Sequence, residues 1–181
     1  MKKTILFSIV LFCTTFCHVA LAQKCKFETN TAQTKEIKKK KLFSKWRYAC
    51  ATGMLRNGSD FFLTLNFQIG KYKPVNNSSI LENMELFLVL SDGKTMVLKA
   101  AEQVTGNLNT IITIPPVFTC DFANLRYRIL AEHLQILSNT ELRMVKICWM
   151  DNELNTKLCE EFEVTGKDQA DIANMVKCIT Q

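Results

Sequence analysis

Histidine is nearly missing from this sequence. His18 and His133 are the only two. That excludes a multi-histidine metal centre and leaves any Ser-His-Asp machine dependent on one ring. His133 lies in "AEHLQIL" with no nucleophile elbow beside it, and it reads as a partly exposed residue of a short helix. Glycine is scarce as well. The six glycines are scattered singly, so no glycine-rich loop cradles phosphate. No C-x-x-C pair occurs and no cysteine spacing matches a zinc site, so thioredoxin-like chemistry lacks its motif. Glu160, Glu161 and Glu163 form an acidic cluster. No D-x-D-x-D loop accompanies them, as calcium would need. Glu161 and Glu163 fall on one strand face and Glu160 with Phe162 on the other, which reads as an ordinary solvated strand. These absences leave no catalytic residue to name, no metal ligand and no cofactor. Beyond residue 22, no apolar run nears the roughly 20 residues of a spanning helix.

What is present begins with an export leader. Lys2 and Lys3 precede an apolar stretch from Ile5 to Val19, and Ala20-Leu21-Ala22 supplies a small-x-small cleavage pattern. Residues 1–22 are expected to be a signal peptide, and 23–181 a single exported domain beginning at Gln23. A lipobox needs a small residue directly before its cysteine. Lys24 stands there instead, so Cys25 is not expected to carry lipid. All 17 acidic residues and all but two of the 23 basic residues lie beyond the leader, which leaves the exported chain mildly basic.

Six cysteines follow the leader: Cys25, Cys50, Cys120, Cys148, Cys159 and Cys178. An even number in an oxidising compartment favours disulfides. Cys148 and Cys159 are equidistant from the centre of "DNELN". If that segment is a hairpin turn, the two face each other, with Cβ atoms about 4.5–5.5 Å apart, somewhat long for a relaxed bridge but within reach of a small strand adjustment. Cys25 is expected to join one of Cys50, Cys120 and Cys178, and the sequence leaves open which.

The strand pattern is dense. Phe61, Leu63, Leu65, Phe67 and Ile69 alternate with polar neighbours, the mark of a half-buried antiparallel strand. Asn57-Gly58 and Asp92-Gly93 sit between such runs as hairpin turns. "NTIITI" reads as a strand stopped by Pro115-Pro116. "LRYRIL", "ELRMVKICWM" and "TKLCEEFEV" read as further strands, and residues 131–137 as a helical turn or two. Near the end, Thr165 is placed to cap a helix carrying Asp168 and Asp171 in its first turn. Ile172, Val176 and Ile179 share its apolar face. The expected class is mainly β, with α+β as the alternative: an antiparallel sheet or sandwich of about eight strands with a C-terminal amphipathic helix.

The run "KEIKKKKLFSK" has no apolar face and reads as a loop or linker. Lys38, Lys39, Lys40 and Lys41 offer at most a weak, salt-sensitive contact with an anionic partner. Only Phe43 and Trp46 stand near them, too few aromatics for a nucleic-acid stacking platform. The lysine-led leader, the "LFLVLSDGKTMVL" hairpin, the "LRYRILAEHLQIL" unit, the "ELRMVKICWM" strand and the closing helix together resemble small uncharacterised exported proteins of Bacteroidota-type bacteria. That resemblance implies a periplasmic or extracellular β-rich domain and carries no catalytic residues to transfer. The expected role is noncatalytic binding, or structure in the envelope. An unrecognised secreted hydrolase is the alternative. An enzyme needs a deep pocket of convergent polar groups, whereas a binding module shows an exposed apolar patch or an open sheet edge.

Overall fold

The computed structural model describes residues 25–45 and 47–181. The leader, Gln23, Lys24 and Trp46 lie outside the described residues. Among the described residues the twelve strands are β1 (Phe27–Asn30), β2 (Thr34–Lys45), β3 (Tyr48–Asn57), β4 (Asp60–Lys71), β5 (Ser78–Ile80), β6 (Glu85–Leu90), β7 (Thr95–Ala100), β8 (Val104–Thr105), β9 (Asn107–Ile111), β10 (Val117–Ile129), β11 (Leu142–Asp151) and β12 (Thr156–Glu163). Helix α1 (Ala131–Asn139) precedes β11. A 3-10 turn at Gly166–Ala170 leads into α2 (Asp171–Ile179). The class is mainly β, as expected. The count of about eight strands was low, because the chain also pairs in short or polar pieces that carry no alternation of their own.

Turn chemistry sets the local hairpins. Asn57 pairs with Asp60, so β3 and β4 join through Gly58 and Ser59, with Gly58 at φ +60°. A two-residue hairpin loop wants positive φ there, and glycine meets it without strain. Between β6 and β7, the Asp92 carboxylate accepts the Lys94 N–H at 3.0 Å, and Gly93 takes φ +84°. Between β11 and β12, Asp151 Oδ1 accepts N–H groups from Glu153 (3.1 Å) and Leu154 (3.0 Å). Such side-chain acceptors satisfy turn donors that would otherwise lose their partners.

All ladders are antiparallel and form one sheet, in the order β1-β2-β3-β4-β10-β7-β6-β11-β5-β8, with β12 on β11 and β9 on β10. The 13-residue β10 pairs with β4 along one edge. Its other edge is divided: residues 117–121 take β9 and residues 127–128 take β7. Between those stretches a register shift falls at Phe122/Leu125, and Asn124 has φ +56°. A bulge there bends and twists the strand, and the sheet folds over on itself without closing into a barrel.

The two halves face each other through aromatic side chains. Phe43 stacks on Phe162 at 4.2 Å between ring centroids, and Phe67 lies 5.7 Å from Trp149 and 5.9 Å from Phe162. Strand β7 alternates strictly between buried and exposed positions, one face for the core and one for solvent. Helix α2 packs against β2, β3 and α1. It buries Ile172, Met175, Val176 and Ile179, each worth roughly 1.5–3 kcal/mol when fully removed from water. Thr165 precedes the 3-10 turn, and its side chain makes no capping bond. Asp171 does open α2, beside the positive helix end.

The lysine-rich segment corrects the loop reading. Residues 34–45 are strand β2, paired with β3 along its length through two register shifts. Pairing to a neighbour overrides the weak intrinsic preference of lysine for strands. Strand β1 covers only residues 35–37 of the opposite edge, so among the described residues the remainder of β2 is an open edge. Lysine on an edge strand opposes edge-to-edge association.

Candidate functional site

The six described cysteines divide into two bonded pairs and two thiols. Cys148 and Cys159 are paired across β11 and β12 and joined by a disulfide. Their Cα atoms lie 4.1 Å apart, closer than the roughly 4.5–5.5 Å of ordinary facing pairs. The two strands have drawn together around the bridge. Cys25 bonds to Cys178 in α2, across a separation of 153 residues. The chain-entropy model gives this long closure about 5 kcal/mol, against just under 3 kcal/mol for the short one. Two disulfides mark an oxidising, non-cytoplasmic compartment. Cys50 and Cys120 correct the even-count expectation, since both are buried free thiols. Cys50 faces Phe67 and Cys120 faces Ile69 from opposite sides of β4. Two strand spacings, about 10 Å, separate them, beyond the roughly 7 Å that a bridge tolerates. Burial pushes the Cys50 thiol up. Burial, then the Asp121 charge, raises Cys120 against an opposing N–H from Ser78. Raised thiols are poor nucleophiles.

The other residues singled out by the sequence go to different places. Lys39 Nζ donates to Asn124 Oδ1 at 2.7 Å, and Lys40 Nζ pairs with Asp171 at 2.7 Å. Lys38 and Lys41 are exposed. Glu161 pairs with Lys146 at 3.0 Å. Glu160 lies on the opposite face and accepts from the Tyr48 hydroxyl at 3.3 Å. Burial, reinforced by Glu160, raises that phenol. His133 sits on α1, half-buried, in a cavity of about 360 Å3 shared with Lys99 and Arg128. Its Nδ1 is buried without a partner among the described residues.

A larger concavity, about 490 Å3, opens on the outer face of β2, β3, β4 and β10. Ala49, Ala51 and Ala123 line it beside Asp121 and Gln68. The Asp121 oxygens accept from Gln68 (2.7 Å), Asn109 (2.8 Å) and Thr119 (3.3 Å). That carboxylate is engaged in holding β4, β9 and β10 together.

A third feature stands at the end of the same half-sheet. Every residue of β9 is exposed. The hairpin then turns through residues 112–116, where Ile112 is 96% exposed and Ile114 is 104% exposed. This corrects the reading of "NTIITI" as a strand throughout. Strand pairing ends at Ile111 opposite Val117, and the isoleucines beyond it point into solvent. Leu108, Ile111 and Tyr72 add exposed apolar surface nearby.

Comparison with family models, with curated proteins and with solved structures finds no match.

The weight therefore rests on the geometry. The groups capable of acid-base or nucleophilic chemistry are dispersed. His133 is on α1, the thiols are inside the sheet, Glu160 is behind Tyr48, and Asp121 is tied into the ladders. The exposed β9–β10 tip is the feature that sequence reading missed. Its one available signal was the lack of any charged residue from Asn107 to Cys120.

Proposed function

We propose that the protein is exported to the periplasm or beyond the cell and acts there as a noncatalytic binding or envelope-associated domain. The observation that carries this reading is the aliphatic tip of the β9–β10 hairpin, held out from the core with Ile112 and Ile114 fully exposed. Contiguous exposed apolar surface marks interaction sites. Strand β2, whose unpaired edge is protected by its lysines, adds no second docking edge. Lys38, Lys39, Lys40 and Lys41 on that strand contribute at most a weak anionic contact. Kinship with exported proteins of Bacteroidota-type bacteria belongs to this proposal. The export leader does too, and the two disulfides support it.

The test is a pull-down from the organism's own cell envelope, with the chain from Gln23 as bait. Retention of an envelope component, reduced when Ile112 and Ile114 are both changed to Ser, is the expected result. Turnover of ester, peptide or glycoside substrates that disappears in His133→Ala would replace this reading with the hydrolase.

A further inference from the structure

The end of the half-sheet that carries the exposed isoleucines has a second property. No Asp, Glu, Lys or Arg occurs from Asn107 to Cys120, so the projecting hairpin is uncharged from its tip down to Asp121, which closes its ladder opposite Asn107. Its neighbours are cationic. Lys71 ends β4 directly opposite Phe118 of β10, and Lys73 follows two residues later. Arg47, which precedes β3, lies with Lys71 and Val117 around one small cleft. Tyr72, between the two lysines, is half exposed. Lys71 and Lys73 form a cationic collar at the base of the tip.

Among the described residues no carboxylate forms an ion pair with Lys71 or Lys73. Asp121 lies three rows down the ladder, opposite Gln68, and its oxygens are taken by Gln68, Asn109 and Thr119. Asp151 feels the Lys71 charge while its oxygens accept from Asn76, at 3.1 and 2.8 Å, and its single negative charge offsets part of the positive charge of Lys71 and Lys73.

The vertical order of these groups is what a bilayer surface presents. Thr110 shares a row with Phe118 and Lys71. Ile112 is two residues further out, about 7 Å at the rise of a strand. Apolar groups that anchor a protein in the interfacial region reach about 5–10 Å below the headgroups. At that depth Lys71 lies level with the headgroups, where anionic lipid attracts it. Tyrosine favours the same level, with its ring in the apolar zone and its hydroxyl wet.

We propose that the β9–β10 tip is an interfacial anchor for a membrane surface bearing anionic lipid headgroups, with Ile112 and Ile114 inserted and Lys71 and Lys73 on the headgroups. This names the partner of the envelope-associated role proposed above and rests on it.

The experiment is co-sedimentation of the chain from Gln23 with phosphatidylcholine vesicles, with and without phosphatidylglycerol. Binding is expected only with the anionic lipid, weakened by raised salt as charge screening requires. The Ile112→Ser/Ile114→Ser variant should lose at least tenfold in affinity while keeping its circular dichroism and melting temperature. Lys71→Gln/Lys73→Gln should weaken binding and flatten its salt dependence. No binding to anionic vesicles, or equal binding by the isoleucine variant, overturns the anchor. If the pull-down still retains an envelope protein through the tip in lipid-free detergent extracts, the anchor fails and the broader binding role stands.

Discussion

The β6–β7 and β9–β10 hairpins place their apolar residues in opposite directions. In β6–β7, Leu86, Leu88, Leu90, Met96 and Leu98 are buried, and the turn is the polar Ser91-Asp92-Gly93. In β9–β10, one arm lies wholly in solvent and the turn itself is aliphatic. Strict alternation means that one face of a ribbon serves the core. Apolar residues gathered at a turn, beyond the last ladder pair, cannot reach that core. The contrast separates hydrophobicity that holds the fold from hydrophobicity available to a partner.

Substitutions test that separation. The largest effect is expected at Leu88, fully buried on the central strand β6. Leu88→Ala should lower unfolding free energy by about 2–5 kcal/mol in denaturant titration. A loss no larger than that of a tip substitution would break the comparison.

Next is the root of the β9–β10 hairpin. Gly106 lies against Cys120 Sγ and the Phe122 ring, and an added Cβ would overlap the sulfur. Gly106→Ala should destabilise by about 1–3 kcal/mol, the usual range for overpacking. The hairpin is thus expected to be sensitive at its base and tolerant at its tip.

At the far end of β10, the Tyr127 hydroxyl is buried without a partner among the described residues. Burial, then the neighbouring Cys50, raises its pKa. Tyr127→Phe removes an unsatisfied polar group and should stabilise by about 1 kcal/mol. A clear loss of stability would mean that the hydroxyl has a partner.

The β11–β12 turn supplies a pH-dependent contrast. Burial acts to raise the Asp151 carboxyl, but the N–H of Leu154, the Asn76 amide and the N–H of Glu153 outweigh it and hold the group below its ordinary value. A depressed folded-state value stabilises above the unfolded carboxyl pKa of about 3.9, and the contribution fades as pH falls through the folded value. Melting temperature should therefore drop below about pH 4, and less steeply in Asp151→Asn. An unchanged acid slope in that variant would remove Asp151 from the account. The smallest effect is at the tip: Ile112→Ser and Ile114→Ser should each change stability by no more than about 0.5 kcal/mol.

Where contacts are local, the sequence was readable. Asn57-Gly58 and Asp92-Gly93 mark their turns because positive φ is a property of the residues themselves. Cys148 and Cys159 pair as expected because symmetry about one turn sets their register. Ile172, Val176 and Ile179 announce α2 by their spacing. Where the partner is distant, the signal fails. The lysines of β2 carry no alternation, and only β3 makes them a strand. The shared edge of β10 follows from the competing reach of β7 and β9, which no local pattern encodes. Ile112 and Ile114 look like strand residues until the ladder is seen to end at Ile111.

The bond between Cys25 and Cys178 has a mechanical consequence. It encloses every strand and nearly all of α2 within one covalent loop. Tension applied through residues outside that loop passes from one sulfur to the other and leaves the ladders unloaded. A protease that cuts the exposed β9–β10 tip opens the loop but releases no fragment, because the two pieces remain tied until a reductant reaches the bond.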